Sequence, residues 1–384
     1  MRRTYFDAAA TTPTDPVVVA AMLPYFGEVY GNPASAHGFG AAALAAVESA
    51  RAAVAALLGA KAREIVFTSG GTESNNTALK GVAQALRARG DHVITTAIEH
   101  DSVLQPLCAL AAADLRVTAL PVDGHGQVDP AAVRRAITPR TVLVSVMHAN
   151  NEVGTIQPIA AIGAITRAAG VLFHTDAVQT CGHVPIRVRD LAVDLLSLSA
   201  HKLHGPKGVG ALYVRRDTPL APLLHGGSHE AGRRASTLNV PGIVGLGRAA
   251  ELAAARLHDE TRHLAALQAR LVEGLGRFPG ARVNGHPTAR LPGNVSVSLP
   301  DSNGDLLLKH LDAAGIACST GASCHDPPTA PSHVLAALGL PDALRAGTLR
   351  FSMSHLTTAA DVDYLLEVLP RVVRRVSALT ELLE

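Results

Sequence analysis

From about residue 64 to 214 the chain alternates short β-branched runs with longer Ala-rich stretches of helical period. Such alternation marks a mainly parallel sheet covered by helices. The runs 64–68, 92–96, 116–121, 141–147, 171–175, 194–199 and 209–214 predict seven strands. Between them, 72–89, 101–113, 129–136 and 158–169 read as helices, with stop signals such as Arg89-Gly90 and Ala169-Gly170. A long helical segment over 241–276 then leads into a different rhythm. Strands follow near 281–284 and 294–299, then a helix over 304–314, a strand at 316–319, the strand Thr348–Ser352 and an amphipathic helix over 358–380. The pattern predicts an α/β protein whose large domain (15–255) holds the seven-stranded sheet. A smaller α+β domain takes residues 256–384 together with 1–14, so the boundary falls inside the long helix near 255.

Composition narrows the function classes. At 384 residues the chain is long enough for two domains with large cores. Its 34 basic and 32 acidic residues leave a formal charge of +2, and charged residues make up 17% against a usual figure of about 25%. Neither a nucleic-acid-binding polycation nor a membrane-surface protein is expected. Four cysteines (Cys108, Cys181, Cys318, Cys324), with no CxxC pair, point away from a secreted disulfide framework and toward a reducing, cytoplasmic setting. The start Met1-Arg2-Arg3-Thr4-Tyr5-Phe6-Asp7 meets an acid before an apolar core could build, so no signal peptide is expected. The Ala-rich stretch 41–60 contains Glu48 and Arg51 and is not expected to span a membrane.

Ligands in open α/β sheets sit beyond the carboxyl ends of the strands, so those loops are where chemistry is sought. After the first strand, Thr68-Ser69-Gly70-Gly71-Thr72-Glu73-Ser74-Asn75 opens a helix whose free amides and positive dipole end suit a phosphate. The same segment is also an ordinary turn with a Thr cap. The second strand ends in Ile98-Glu99-His100-Asp101-Ser102, and the fourth in His148-Ala149-Asn150-Asn151-Glu152-Val153-Gly154. The fifth carries Asp176 to its end, where a buried carboxylate needs a cation or hydrogen-bond donors. The sixth runs into Ser199-Ala200-His201-Lys202.

Only five of the basic residues are lysines: Lys61, Lys80, Lys202, Lys207 and Lys309. Lys61 and Lys207 fall in polar turns, and Lys80 and Lys309 on solvated helix faces. Lys202 alone follows a strand into the expected site, where desolvation would make its amine nucleophilic. A phosphate cradle, an acid, an imidazole and a carbonyl-capturing lysine together are what pyridoxal phosphate requires.

Those motifs, with Asp7-Ala8-Ala9-Ala10-Thr11-Thr12-Pro13, Gly31-Asn32-Pro33-Ala34-Ser35 and Asn150-Asn151-Glu152-Val153-Gly154, resemble the fold-type I, class V aminotransferase relatives, specifically the cysteine desulfurases of the NifS/IscS type. The resemblance covers nearly the whole chain and implies pyridoxal 5'-phosphate as cofactor, L-cysteine as substrate and a homodimer. By that resemblance Lys202 would hold the cofactor as a Schiff base, His100 would stack on the pyridine ring and Asp176 would pair with its nitrogen. Gln179 and Asn151 would bond around the ring hydroxyl and the substrate. Gly71 lies in the phosphate turn, and Thr72, Ser199 and His201 would bind the phosphate. Thr237 of a second subunit would join them, from the segment 225–237, which opens with His225-Gly226-Gly227-Ser228-His229-Glu230. The family usually has Ser-Gly where this chain has Ala235-Ser236. His225, His229 and Glu230 are loosely spaced, with no third ligand close by, so no metal is expected.

The small domain supplies Cys318-Ser319-Thr320-Gly321-Ala322-Ser323-Cys324. A loop cysteine should be exposed and reactive, and the resemblance puts Cys324 at the persulfide position, with Cys318 an additional thiol. Cys108 and Cys181 read as structural. Arg350 has the fork geometry to hold a carboxylate, and the resemblance gives it the substrate's. A sulfur-acceptor protein, either an iron–sulfur scaffold or a sulfur carrier, is the implied partner. The rival activities are another class V enzyme, a selenocysteine lyase or a small-molecule aminotransferase, neither of which needs the loop nucleophile. A non-catalytic scaffold role is the rival from outside catalysis.

Overall fold

The computed structural model of the chain describes residues 2–320 and 332–381. Its first part runs β1 (Thr4–Tyr5), α1 (Pro16–Met22), α2 (Pro24–Gly27), α3 (Gly38–Leu58), β2 (Ile65–Thr68), α4 (Gly71–Ala85) and β3 (His92–Thr96). Next come α5 (Asp101–Ala111), β4 (Arg116–Leu120), α6 (Pro130–Ala136), β5 (Thr141–Ser145), α7 (Ile159–Ala169), β6 (Leu172–Asp176), β7 (Leu195–Ser199) and β8 (Gly210–Val214). After α8 (Val240–Leu275) follow β9 (Arg282–Asn284), β10 (Asn294–Ser298), α9 (Gly304–Ala313) and β11 (Ile316–Ala317). The chain closes with α10 (His333–Ala337), α11 (Asp342–Ala346), β12 (Thr348–Ser352) and α12 (Ala359–Glu381).

Strands β2 to β8 form one seven-stranded sheet in the order β2-β8-β7-β6-β5-β3-β4. Every pairing is parallel except those of β8, which runs antiparallel to β2 and β7. Six of the seven strands (β2 to β7) therefore deliver their C-terminal loops to one edge. Strands β2, β3, β5, β6, β7 and β8 are buried along their whole length, which is why each reads as a continuous apolar run rather than an alternating one. The helix expected over 72–89 stops at Ala85, and Leu86–Arg89 continue as turns. Gly90 is required there, since a Cβ would lie 2.1 Å from the Arg140 carbonyl oxygen.

A second sheet, β12-β10-β9, is antiparallel. The short β1 pairs in parallel with β11, which brings the N-terminus beside the C-terminal elements. The long α8 passes between two cores. Its Val240, Ile243, Leu246, Ala249, Ala250 and Ala253 belong to the core of the large sheet. Its Leu264, Leu267, Leu271 and Leu275 belong to the core around Phe6, Val295, Val297 and Phe351.

Helix α3, which the hydropathy pattern did not separate out, is the described helix long and apolar enough to cross a membrane. Its Val47, Ala50, Val54 and Leu58 are instead buried in the large-sheet core with α8. The contact is close: a Cβ on Gly247 would fall 2.6 Å from the Cα and Cβ of Ala50. Two backbones at that spacing leave no room for another carbon. Gly247→Ala is therefore expected to force the helices apart and lower stability by about 1–3 kcal/mol, read as a reduced midpoint in urea with the slope unchanged.

Candidate active site

At the carboxyl edge of the large sheet lies a cavity of about 310 Å³. Gly71, Thr72, His100, Asn151, Asp176, Gln179, Ser199, His201, Lys202 and Arg350 all line it. A larger groove, about 720 Å³, lies between the C-terminal half of α8 and α12, far from the strand ends and without a lysine.

Asp176 ends β6 and is buried. Its Oδ2 accepts from Asn75 Nδ2 at 2.7 Å and its Oδ1 from the Val178 amide at 2.9 Å. Among the described residues these donors are neutral, the second of the two kinds of partner a buried carboxylate admits. A carboxylate has about four acceptor positions, so capacity remains toward the cavity. Asn75 also donates to Ser102 Oγ at 2.8 Å, and that hydroxyl contacts His100 Nδ1 at 2.8 Å. His100 caps α5 by accepting from the Ser102 amide. One chain of hydrogen bonds thus fixes both the acid and the imidazole.

Behind them Glu99 is fully buried, held by the Thr96 hydroxyl at 2.6 Å and the Met147 amide at 3.0 Å. Burial pushes its carboxyl up to about 8, and the charge of Asp176 adds to the rise. A neutral Glu99 places no second negative charge beside Asp176.

The phosphate-like turn has the expected form. Helix α4 starts at Gly71, whose Cβ would lie 2.6 Å from Val178 Cγ2 on the cavity wall. Glu73 does not face a ligand: it accepts from the Ser69 amide and pairs with Arg234 at 2.9 Å. His201 contacts Thr11 Oγ1 at 3.1 Å. Burial, with Lys202 and Lys207 nearby, lowers its pKa to about 4, so the ring is neutral at pH 7.

Lys202 closes the one-turn 3-10 helix Ala200–Lys202, and its Nζ donates to the carbonyls of Ala9 and, at 2.8 Å, Ala10. Gln179 Nε2 reaches the same Ala9 oxygen at 3.0 Å. The two asparagines divide their tasks. Asn150 is buried and makes the turn, accepting from the Glu152 and Val153 amides, whereas Asn151 faces the cavity. Arg350 is 3% exposed; its Nη2 pairs with Asp7 at 2.8 Å and its Nη1 donates to the Asn151 carbonyl at 3.1 Å. Asn75, Ser102 and Asp7 were not singled out from the sequence. The one available signal was Asn75, a polar residue on the face that α4 turns to the sheet.

Thr237 is exposed and does not line its own chain's cavity. Cys324 lies outside the described residues. Cys318 is buried, and burial together with Asp7 pushes its thiol up to about 12. Cys181 is likewise buried, with its pKa raised by burial. Cys108, expected to be structural, is instead exposed on the outer face of α5.

The aminotransferase class-V profile matches residues 4–365. A cysteine desulfurase IscS of Methanosarcina thermophila is 50% identical over 378 residues, covering 98% of this chain and 94% of its own length. The chain belongs to the aminotransferase class-V family, among its cysteine desulfurases. A solved NifS-like protein is 41% identical with a TM-score of 0.92, covering 97% of this chain and 100% of that one. The structure of SspA in complex with cysteine is 37% identical with a TM-score of 0.82, covering 92% and 99%.

In this cysteine desulfurase Ser236 stands where the resemblance led a glycine to be expected. Ser236 stands at φ 95°, outside the range a side chain favours, and Glu230 and Ala231 in the same segment have φ of 49° and 56°. Glu230 holds the segment. Both its oxygens lie 2.7 Å from Arg51, and one also accepts from the Phe67 amide.

The environment of Glu99 gives a pH signature. Its folded pKa of about 8 exceeds its ordinary 4.5, so between these values the folded state binds more protons and stability falls as pH rises. Glu99→Gln keeps the shape without the titration. The variant is expected to fold normally and to lose the part of the decline in melting temperature between pH about 4.5 and 8 that Glu99 causes, read by differential scanning fluorimetry.

Proposed function

We propose that this chain converts L-cysteine to L-alanine with pyridoxal 5'-phosphate as cofactor, passing the sulfur to Cys324 as a persulfide and then to an acceptor protein. The observation that carries the reading is the convergence of Lys202, Asp176, His100 and Arg350, from four separate segments, on one cavity. The kinship with curated cysteine desulfurases supplies the substrate.

Two features support the cofactor. The start of α4 offers leading amides that no preceding helical turn can satisfy, and Gly71 has no space for a side chain. The Asp176 carboxylate, buried among neutral donors, retains acceptor capacity for a protonated ring nitrogen. On this reading Lys202 would hold the cofactor covalently and His100 would cover its ring. Asp176 would hold the ring nitrogen, and Gln179 and Asn151 the ring hydroxyl and substrate. Gly71, Thr72, Ser199 and His201 would hold the phosphate, joined by Thr237 from a second copy in a homodimer. When bound, pyridoxal phosphate supplies an electron sink that weakens the bonds around the substrate Cα.

The chain's own groups then act in turn. Arg350 orients the substrate carboxylate through charge-assisted hydrogen bonds. Lys202, released from the cofactor, moves the proton on the substrate Cα. The Cys324 thiolate would attack the substrate sulfur, forming an S–S bond as the C–S bond breaks; the electron pair stays with the carbon skeleton, which takes up a proton and leaves as alanine. The division at about residue 255 puts the cofactor residues on the large domain, and Arg350 and Cys324 on the small one. The acceptor is a sulfur carrier or an iron–sulfur scaffold, and the setting is cytoplasmic.

Incubation with L-cysteine and a reductant should yield alanine and sulfide in equal amounts. Borohydride reduction followed by peptide mapping should place the pyridoxyl group on Lys202, and Lys202→Ala should carry no label. A label on Lys80 or Lys207 removes the assignment. The two small-domain thiols separate in a second test. Cys324→Ser should still bind L-cysteine but release almost no sulfide, whereas Cys318→Ser should stay active because that thiol is buried and held protonated. Mass spectrometry of wild-type protein after brief exposure to L-cysteine should find one added sulfur on the Cys324 peptide; finding it on Cys318 reverses the roles.

A further inference from the structure

Beside the turn that carries Lys202, charged and imidazole groups from five segments meet. The turn after β6 supplies His183, α8 supplies Arg256 and Glu260, and the loop after β12 supplies His355. The turn after Lys202 adds His204, and the residue before α1 adds Asp15. Arg256 pairs with Asp15 at 2.9 Å, and His204 contacts the Pro13 carbonyl at 3.0 Å with its ring 4.3 Å from that of His355. His183 touches Lys202 directly: its Nε2 lies 3.0 Å from the Lys202 carbonyl oxygen. On the ring's other side, Nδ1 faces Glu260 Oε1 at 3.5 Å.

We propose that His183, held by Glu260, is a positioning residue that fixes the Lys202 backbone so that only the lysine side chain moves during the reaction. A carbonyl oxygen only accepts, so Nε2 must carry a proton. A neutral ring protonated there would aim the Nδ1 lone pair at the Glu260 carboxylate. The ring therefore sits between two acceptors as an imidazolium, donating from Nε2 to the Lys202 carbonyl and facing the Glu260 carboxylate as an ion pair across Nδ1. Burial alone would lower the His183 pKa, but the hydrogen bond to Glu260, its charge and the Lys202 carbonyl outweigh burial and raise it. Burial would raise Glu260, and His183 outweighs it in the opposite direction. His204 and His355 are both lowered by burial and stay neutral at pH 7. His355 Nδ1, 3.8 Å from Glu260, is beyond hydrogen-bond range and does not compete. The Thr261 hydroxyl reaches the His183 carbonyl at 3.3 Å and steadies the turn from α8.

The stem of Lys202 carries four carbons, so a small shift of its Cα becomes a larger one at Nζ. Displacements of about 1 Å at a reacting group can cost on the order of 100-fold in rate. The inference rests on Lys202 being the reactive lysine, but the stability readout below does not.

The test uses the holoenzyme with His183→Gln, His183→Leu and Glu260→Gln. A histidine with a raised folded pKa stabilises fully below its ordinary 6.5 and loses that contribution as pH rises through the folded value. Wild type should therefore lose melting temperature on the alkaline side, and His183→Gln should lack that component. Glutamine can still donate to the Lys202 carbonyl and should keep most of kcat. His183→Leu and Glu260→Gln should lose about 10- to 100-fold in kcat with KM for L-cysteine nearly unchanged. If His183→Leu fails to fold, the other two variants carry the same comparison. Wild-type kcat in His183→Leu and Glu260→Gln, or identical melting curves against pH in wild type and His183→Gln, overturns the proposal. A borohydride label away from Lys202, with the melting curves as expected, instead overturns the lysine assignment alone.

Discussion

A carboxylate buried at the end of a central strand is the constraint around which the site is arranged. Asp176 could not remain charged there without donors, and Asn75 and the Val178 amide supply them. Asn75 comes from the first turns of α4, so satisfying the acid also fixes the helix whose start forms the anion cradle. Through Ser102 the same amide group fixes His100. Losing Asn75 would disturb the acid, the imidazole and the α4 start together, because a buried donor–acceptor chain fails as a unit.

Charge around the cavity is kept sparse by burial. His148, His174 and His201 are lowered to about 4, 3 and 4 by desolvation. Each also has a hydroxyl partner, Thr180, Ser145 and Thr11 respectively. With Glu99 held neutral until about pH 8, many titratable groups crowd the sheet edge while few are ionised at neutral pH. The fields of Asp176, Lys202 and Arg350 are then little diluted by competing charges, and in low dielectric each acts more strongly than in water.

The sheet was legible because six of its seven strands are buried along their length and read as largely apolar or β-branched runs, and all seven lie close to where the pattern placed them. Helix α3 was not legible. Its 21 residues are so rich in alanine and glycine that the polar face hardly differs from the buried one. Lys202 was found by elimination among five lysines, and Asp176 because a carboxylate at a strand end is out of place. What stayed hidden shares one physical cause: these groups act through atoms that every residue has, or through partners distant in sequence. Ala9 and Ala10 serve through carbonyls, which no side-chain pattern reveals. Asp7 and Glu260 acquire meaning only beside Arg350 and His183, which lie 343 and 77 positions away. Ser236 was legible as a departure, and its positive φ is the physical form that departure takes.

The N-terminal segment, quoted in the sequence only as a motif, turns out to join the two sheets at the site. Phe6 and Ala8 bond to Ser352 at the end of β12, and Ala9 donates its amide to the Ser352 hydroxyl. A few residues on, Thr12 bonds to the His201 carbonyl through both its amide and its hydroxyl, and the His204 amide returns to that hydroxyl. Residues 6–12 therefore span from the strand of Arg350 to the turn of Lys202. The Asn151 loop is clasped from the same side, since both Arg350 and Asn294 of the small sheet donate to the Asn151 carbonyl. Any sliding of β12 would thus change the distance between the carboxylate-binding arginine and the amine, and these backbone bonds oppose it. The apolar cores hold each sheet together, but the spacing between Arg350 and Lys202 is held by the backbone hydrogen bonds of one short stretch of chain, together with those at the Asn151 carbonyl.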